Sequence, residues 1–219
     1  MTKKIINNFD KLWEFLKFPP NTYYKFQVIK RKKDGEDVKK SSKLIKSYLV
    51  DNLGKIETLQ PEMIKLCQIF NARLYVSLDR GNIIKALFNI KQYIDTQLQD
   101  CLFSKEKELS ASVINRAIES STDQQTSKNY KLWLVDMDTK DGQILYKIKD
   151  TLPVSFYLAT LETKNGYHLI YERKFDMGAY FQKDFNWEIN GKRLVEYKEN
   201  ANTLVYMEYE DEQETTKNK

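Results

Sequence analysis

Residues 131–137, Lys-Leu-Trp-Leu-Val-Asp-Met, carry an apolar run from Leu132 to Val135 that ends on Asp136, with Asp138 two positions on. A near-continuous apolar run of this length reads as a strand buried on both faces. It commits the chain to a fold with a sheet in its interior. It also decides where polar groups emerge. Residues i and i+2 of a strand face the same side, so both carboxylates leave the core together at the strand's C-terminal end. Two adjacent anions repel, and one resists ionising unless a cation stands between them. Mg2+ or Mn2+ suits that position, because both favour carboxylate oxygens and leave coordination sites for phosphate. The alternative is an acidic turn at a strand end.

Around this strand the chain reads as helices first and strands later. Ile5, Phe9, Leu12, Trp13 and Leu16 stand at helical spacing over residues 5–18, and Pro19-Pro20 stops that helix. Residues 22–31 alternate as a strand, with Lys33-Asp34-Gly35 as its turn. Pro61 falls in the first turn of a helix through Phe70. Residues 73–78 read as a strand, Asp79-Arg80-Gly81 as a turn, and Asn82 as the N-cap of a helix striped by Ile83, Leu87, Ile90, Ile94 and Leu98. Residues 119–129 form a candidate mobile loop. Residues 153–161 and 167–172 read as strands joined by Thr163-Lys164-Asn165-Gly166, a turn built on Asn-Gly. Asp176 caps a helix to about Phe185, and 192–197 and 203–209 close the pattern as a strand pair. This order predicts an α+β fold with an antiparallel-rich sheet. One domain is expected over residues 1–210, with 1–64 as an N-terminal elaboration of a 65–210 core and 211–219 as a disordered acidic tail.

A chain of 219 residues buries a core without staples. Cys67 and Cys101 are its two cysteines and lie far apart, which excludes a structural zinc site built from cysteines and points to a reducing cytoplasm. The polar start, Met1-Thr2-Lys3-Lys4, is unlike a signal peptide, and no stretch approaches the length that spans a bilayer. A soluble protein without a membrane partner is expected. Nine Lys/Arg against three Asp/Glu between Lys25 and Lys46 could follow a phosphate backbone or simply form a solvated face.

His168 is the single histidine and opens the strand that returns from the Asn-Gly turn, two positions after Gly166. A glycine there lets a phosphate approach the backbone closely. An imidazole beside it donates to a triphosphate oxygen; the bland reading is a strand histidine with a bonded partner.

An apolar strand ending in Asp-x-Asp, then Gly-Tyr-His opening another strand, resembles the first two motifs of the archaeo-eukaryotic primase superfamily. Val195-Glu196 resembles the third, an apolar residue followed by an acid, with Glu208 as its rival. Lys174-Phe175-Asp176 and Asn71-Ala72-Arg73-Leu74-Tyr75-Val76, with Arg80 closing that strand, resemble segments of phage and plasmid primase-polymerases. The resemblance covers roughly residues 65 to 210. It implies an RRM-like sheet carrying the catalytic strands and a nucleotidyltransferase that uses Mg2+ or Mn2+. Asp136, Asp138 and Glu196 would hold the metals, one activating a 3′-hydroxyl and the other stabilising pyrophosphate. His168, the Gly166 backbone and Lys164 would bind the incoming triphosphate, and Arg80 or Arg173 would neutralise charge. A DNA template, nucleoside triphosphates and a replicative helicase are the implied partners, in a host cytoplasm if the protein is phage-encoded.

Two other readings compete. Glu162-Thr163-Lys164 at a strand end matches the Glu-x-Lys half of a metal-dependent nuclease motif, with Asp138 upstream. A non-catalytic nucleic-acid-binding protein needs only the basic segment and the tyrosines.

Overall fold

The computed structural model describes residues 3–32, 41–103, 110, 112–123, 130–184, 188–189 and 192–210. β1 (Lys3–Asn7), α1 (Leu12–Phe15), β2 (Thr22–Arg31) and β3 (Ser42–Val50) precede the long helix α2 (Leu53–Phe70) and β4 (Arg73–Ser77). β5 (Gly81–Asn82) leads into α3 (Ile83–Phe103), and α4 (Ser112–Asp123) follows. Then come β6 (Leu132–Met137), α5 (Gly142–Thr151), β7 (Tyr157–Glu162), β8 (Tyr167–Glu172) and α6 (Met177–Asp184). The short strands β9 (Glu188–Ile189) and β10 (Lys192–Arg193) pair with each other before β11 (Val195–Lys198) and β12 (Asn202–Glu210).

The fold is α+β, with two principal antiparallel sheets. The larger runs β1-β12-β4-β2-β3, with β5 added against β2. The smaller runs β11-β6-β8-β7. Its elements follow the chain order β6-α5-β7-β8-α6-β11, a βαββαβ unit of the ferredoxin-like kind.

Alternation along β6 explains why its apolar run is unbroken. Leu132 and Leu134 join a core with Tyr24, Phe26, Leu74 and Val205 of the larger sheet and Ile56 and Met63 of α2. Trp133, Val135 and Met137 join a second core with Ile148 of α5 and Met177 and Phe181 of α6. Each Leu or Val buried in this way contributes roughly 1.5–3 kcal/mol relative to exposure. β6 is therefore central in its sheet and covered on both faces. Polar side chains find room only at its end.

Several elements differ from the sequence reading, each for a physical reason. The helix expected over 5–18 is confined to a 3-10 turn at Phe9–Lys11 and the short α1. Residues 3–7 instead form β1, which covers the edge of β12 with Ile6 opposite Met207. Pairing with a distant strand overrides the local period there. Pro61 lies inside α2 rather than in its first turn. That helix starts earlier, capped by Asn52, whose side-chain oxygen accepts from the Lys55 N–H at 2.9 Å. α5 has no counterpart in the sequence reading, although Asp141 caps it by accepting from the Gln143 N–H at 2.8 Å. α4 takes up residues 119–123, the start of the expected loop. Residues 33–35, 124–129, Phe185 and the 211–219 tail lie outside the described residues.

Asn82 caps α3 as expected, accepting from the Lys85 N–H at 3.0 Å. Its apolar stripe is only partly covered: Leu87 is 60% exposed, while α3 packs along α4. β1, β2 and β3 share one sheet with β4 and β12. No helix among the described residues is long and apolar enough to cross a membrane.

Candidate active site

Strand register brings three of the expected site residues into one row. Asp136 of β6 stands directly opposite His168 of β8 on one side and opposite Glu196 of β11 on the other. Directly paired residues of neighbouring strands project from the same face. For this row it is the face that α5 and α6 leave uncovered, since those helices pack on the Val135 and Met137 side. Asp138 follows two positions later, and its N–H donates to the Leu194 carbonyl at 2.8 Å, extending the ladder past the end of β6.

Asp136 and His168 of this row, though not Glu196, border a cleft of about 450 Å³ where the two sheets meet. Asp136, Asp138 and His168 line it, together with Thr163, Lys164 and Asn165 from the β7–β8 turn. Arg31, Arg73 and Tyr75 border it from the larger sheet, and Lys198 and Glu199 from the end of β11.

His168 is held from both ring nitrogens. Nε2 lies 3.3 Å from Asp136 Oδ1 and Nδ1 lies 2.9 Å from Thr203 Oγ1. Nε2 faces the carboxylate, and the direction of the Nδ1 contact with the Thr203 hydroxyl follows from the tautomer. The residue is 9% exposed. Lys198 Nζ donates to Asp136 Oδ2 at 2.6 Å and lies 3.6 Å from Glu196 Oε2. Burial by itself would raise the Asp136 pKa. The hydrogen bonds and charge of His168 and Lys198 outweigh it and hold the carboxyl well below the usual carboxylate range. Burial opposes the charge on Lys198, yet Asp136 and Glu196 raise its pKa.

These contacts test the chain against a divalent ion. Asp136 and Glu196 converge on one cationic atom, the Lys198 ammonium. The donors are hard carboxylate oxygens, the set that Mg2+ and Mn2+ prefer. Among the described residues, no group of three or more His, Cys, Asp or Glu is drawn together around a metal position. The donor types suit such an ion, and in this structure the Lys198 ammonium sits against both acids.

Other expected residues have different surroundings. At Gly166 an added Cβ would stand 1.9 Å from the Met137 carbonyl oxygen and 2.7 Å from Thr139 N. The glycine thus lets the turn pack on the backbone that presents Asp138, and its N–H donates to Thr163 Oγ1 at 3.0 Å within the turn. Lys164 lines the cleft and lies over the Tyr209 ring at 5.4 Å. Arg80 is outside the cleft lining: its guanidinium lies over Tyr130 at 4.4 Å and donates to the Lys17 carbonyl at 3.4 Å. Arg173 pairs with Glu199 at 2.6 Å and lies over Trp133. Glu208, the rival third acid, is engaged by Tyr206 Oη at 2.6 Å and Gln68 Nε2 at 2.7 Å.

Glu162 stands opposite Tyr167, one position out of the His168 row, and so faces the other side of the sheet. It pairs with Lys140 at 2.8 Å. Of the Glu-x-Lys half-motif, Lys164 lines the cleft with Asp138, while Glu162 faces away from it. Within the basic segment, Lys25 is 7% exposed and belongs to the interior of the larger sheet.

Sequence reasoning missed Lys198 and Thr203. Lys198 was readable, since it follows Glu196 by two positions on one strand and shares its face. Thr203 had no local signal, because its partner lies on the other sheet. No family model, no curated protein and no solved structure matches this chain.

Proposed function

We propose that this chain is a nucleotidyltransferase of the primase-polymerase kind, acting on a nucleic-acid template with nucleoside triphosphates and a divalent metal. The observation that carries the reading is the Glu196–Asp136–His168 row on one face of the smaller sheet, at the end of β6. Two acids and an imidazole side by side, with Asp138 at the end of the same strand, combine a metal-binding edge with a phosphate donor. Asp136, Asp138 and Glu196 would hold Mg2+ or Mn2+ once Lys198 yields its place. Bound there, the ion would neutralise charge on the reacting phosphates.

The chain's own residues have separable tasks. Thr203 and Asp136 orient the His168 ring, so its donor direction is set before a nucleotide arrives. On binding, a phosphate oxygen would share the His168 Nε2–H with Asp136, without the ring leaving its Thr203 contact. Released from Asp136, the Lys198 ammonium stays within reach of the same anions. Leu134 and the buried face beneath the row keep water out from below. A replicative helicase is a further partner under this reading, and the cytoplasm the compartment.

The test compares His168→Ala, Asp136→Asn and Lys164→Ala with the parent protein. Triphosphate affinity is measured calorimetrically in Mn2+, templated extension by product length, and folding by circular dichroism. Loss of one charge-assisted hydrogen bond, about 1.5–3 kcal/mol, weakens triphosphate binding by roughly one to two decades in His168→Ala. Asp136→Asn abolishes extension while the fold persists. Strand cutting that depends on Lys164 and ignores His168 would replace this reading with the nuclease one.

A further inference from the structure

We propose that Arg31 and Arg73, gathered on the hydroxyl of Tyr75, form a phosphate-binding wall across the cleft from Asp136 and His168. The register of the larger sheet explains how they meet. Ile29 of β2 stands opposite Arg73 of β4, and Gln27 opposite Tyr75. Arg31, two positions beyond Ile29, therefore projects from the same face as Arg73 and Tyr75.

Arg31 Nη1 donates to Tyr75 Oη at 3.3 Å, and Arg73 Nη1 donates to the same oxygen at 3.5 Å. Both guanidinium groups are permanently charged. A single phenol oxygen thus gathers two like charges side by side. Arg31 also lies over the Tyr75 ring, 5.7 Å from its centre, which limits the directions its donors take. Arg73 is 7% exposed yet borders the cleft, so its charge acts in a setting with little water to screen it.

The opposite wall has the complementary character. The cleft's acids, Asp136, Asp138 and Glu199, come from the smaller sheet and the turn after it, whereas Arg31 and Arg73 come from the larger sheet. An anion entering between them meets paired guanidinium forks on one side and the His168 and Lys198 donors on the other. The planar fork matches phosphate oxygens two at a time. The ligand class is therefore a phosphate group; that it comes from a nucleotide or a strand rests on the nucleotidyl-transfer reading.

The full chain is titrated in EDTA by fluorescence anisotropy and calorimetry, with inorganic tripolyphosphate in one arm and a short single-stranded oligonucleotide in the other. Arg31→Ala, Arg73→Lys and Tyr75→Phe are compared with the parent and with Lys65→Ala, which removes a charge on the exposed side of α2. Arg31→Ala and Arg73→Lys are expected to weaken at least one ligand by about tenfold or more, since each loses charge-assisted hydrogen bonds. Lys65→Ala is expected to change neither ligand by more than about twofold. Loss confined to tripolyphosphate assigns the wall to an incoming triphosphate, loss confined to the oligonucleotide assigns it to a strand backbone, and loss of both assigns it to either. Unchanged affinity for both ligands in folded Arg31→Ala overturns the proposal, as does a parent protein that binds neither. Should Arg73→Lys fail to fold, Arg31→Ala decides alone. Neither arm reads extension or needs a metal, so an inactive Asp136 site would leave this result standing.

Discussion

Asp79 carries a cost at the scale of a single residue. Its Oδ2 is buried without a hydrogen-bond partner, and burial raises its pKa, with Lys131 and Arg173 only partly offsetting that effect. A carboxyl whose pKa is higher folded than unfolded binds more protons in the folded state. Stability is therefore greatest below the unfolded value, near pH 4, and declines as pH rises through the raised one. Asp79→Asn removes the charge and keeps the shape. It should raise Tm at pH 7 by about 2–4 °C, equivalent to roughly 1 kcal/mol, and leave Tm unchanged near pH 3.5. Scanning calorimetry at the two pH values checks this, and equal effects at both would refute it. His168 shows how residue identity and setting combine: the sequence singled it out as the lone imidazole near Asp-x-Asp, but its Thr203 partner comes from the other sheet.

At the scale of elements, the β7–β8 turn is the part that presents the site. Gly166 lies so close to the Met137 carbonyl that a methyl group must push backbone, not a flexible side chain. Gly166→Ala should cost at least about 3 kcal/mol, the upper part of the overpacking range, and lower Tm by roughly 6–12 °C. It should also weaken Mn2+-dependent triphosphate binding, because the displaced backbone carries Asp138. Thermal melts with and without Mn2+ and triphosphate read both effects. The Asn-Gly turn and the Asp176 cap were legible because both depend on near neighbours: Asp176 Oδ1 accepts from the Gly178 N–H at 3.0 Å. β1 was misread as helix because its apolar residues satisfy a helical period, while the strand that claims it lies at the far end of the chain.

At the scale of the whole molecule, the two ends of the chain are interleaved. β12 lies between β1 and β4 and also supplies Thr203 to His168. Truncation after Asn200 removes the strand that joins β1 to the sheet. It should abolish the cooperative thermal transition seen by circular dichroism, and a truncated chain that still melts cooperatively would show that the smaller sheet folds alone. Some features were set by the sequence alone: the doubly buried β6, the same-side placement of Asp136 and Asp138, the return strand opening on His168, and the cap of α3. Each rests on alternation or on a neighbour a few residues away, which chain stereochemistry imposes wherever the segment goes. Only the tertiary structure decided that residues 3–7 are a strand, that Lys198 closes on Asp136 and Glu196, and that Arg31 and Arg73 share one tyrosine across the cleft from them. Those arrangements arise from pairing and packing between segments far apart in the chain. Their free energy comes from burial and register that no local window of sequence contains.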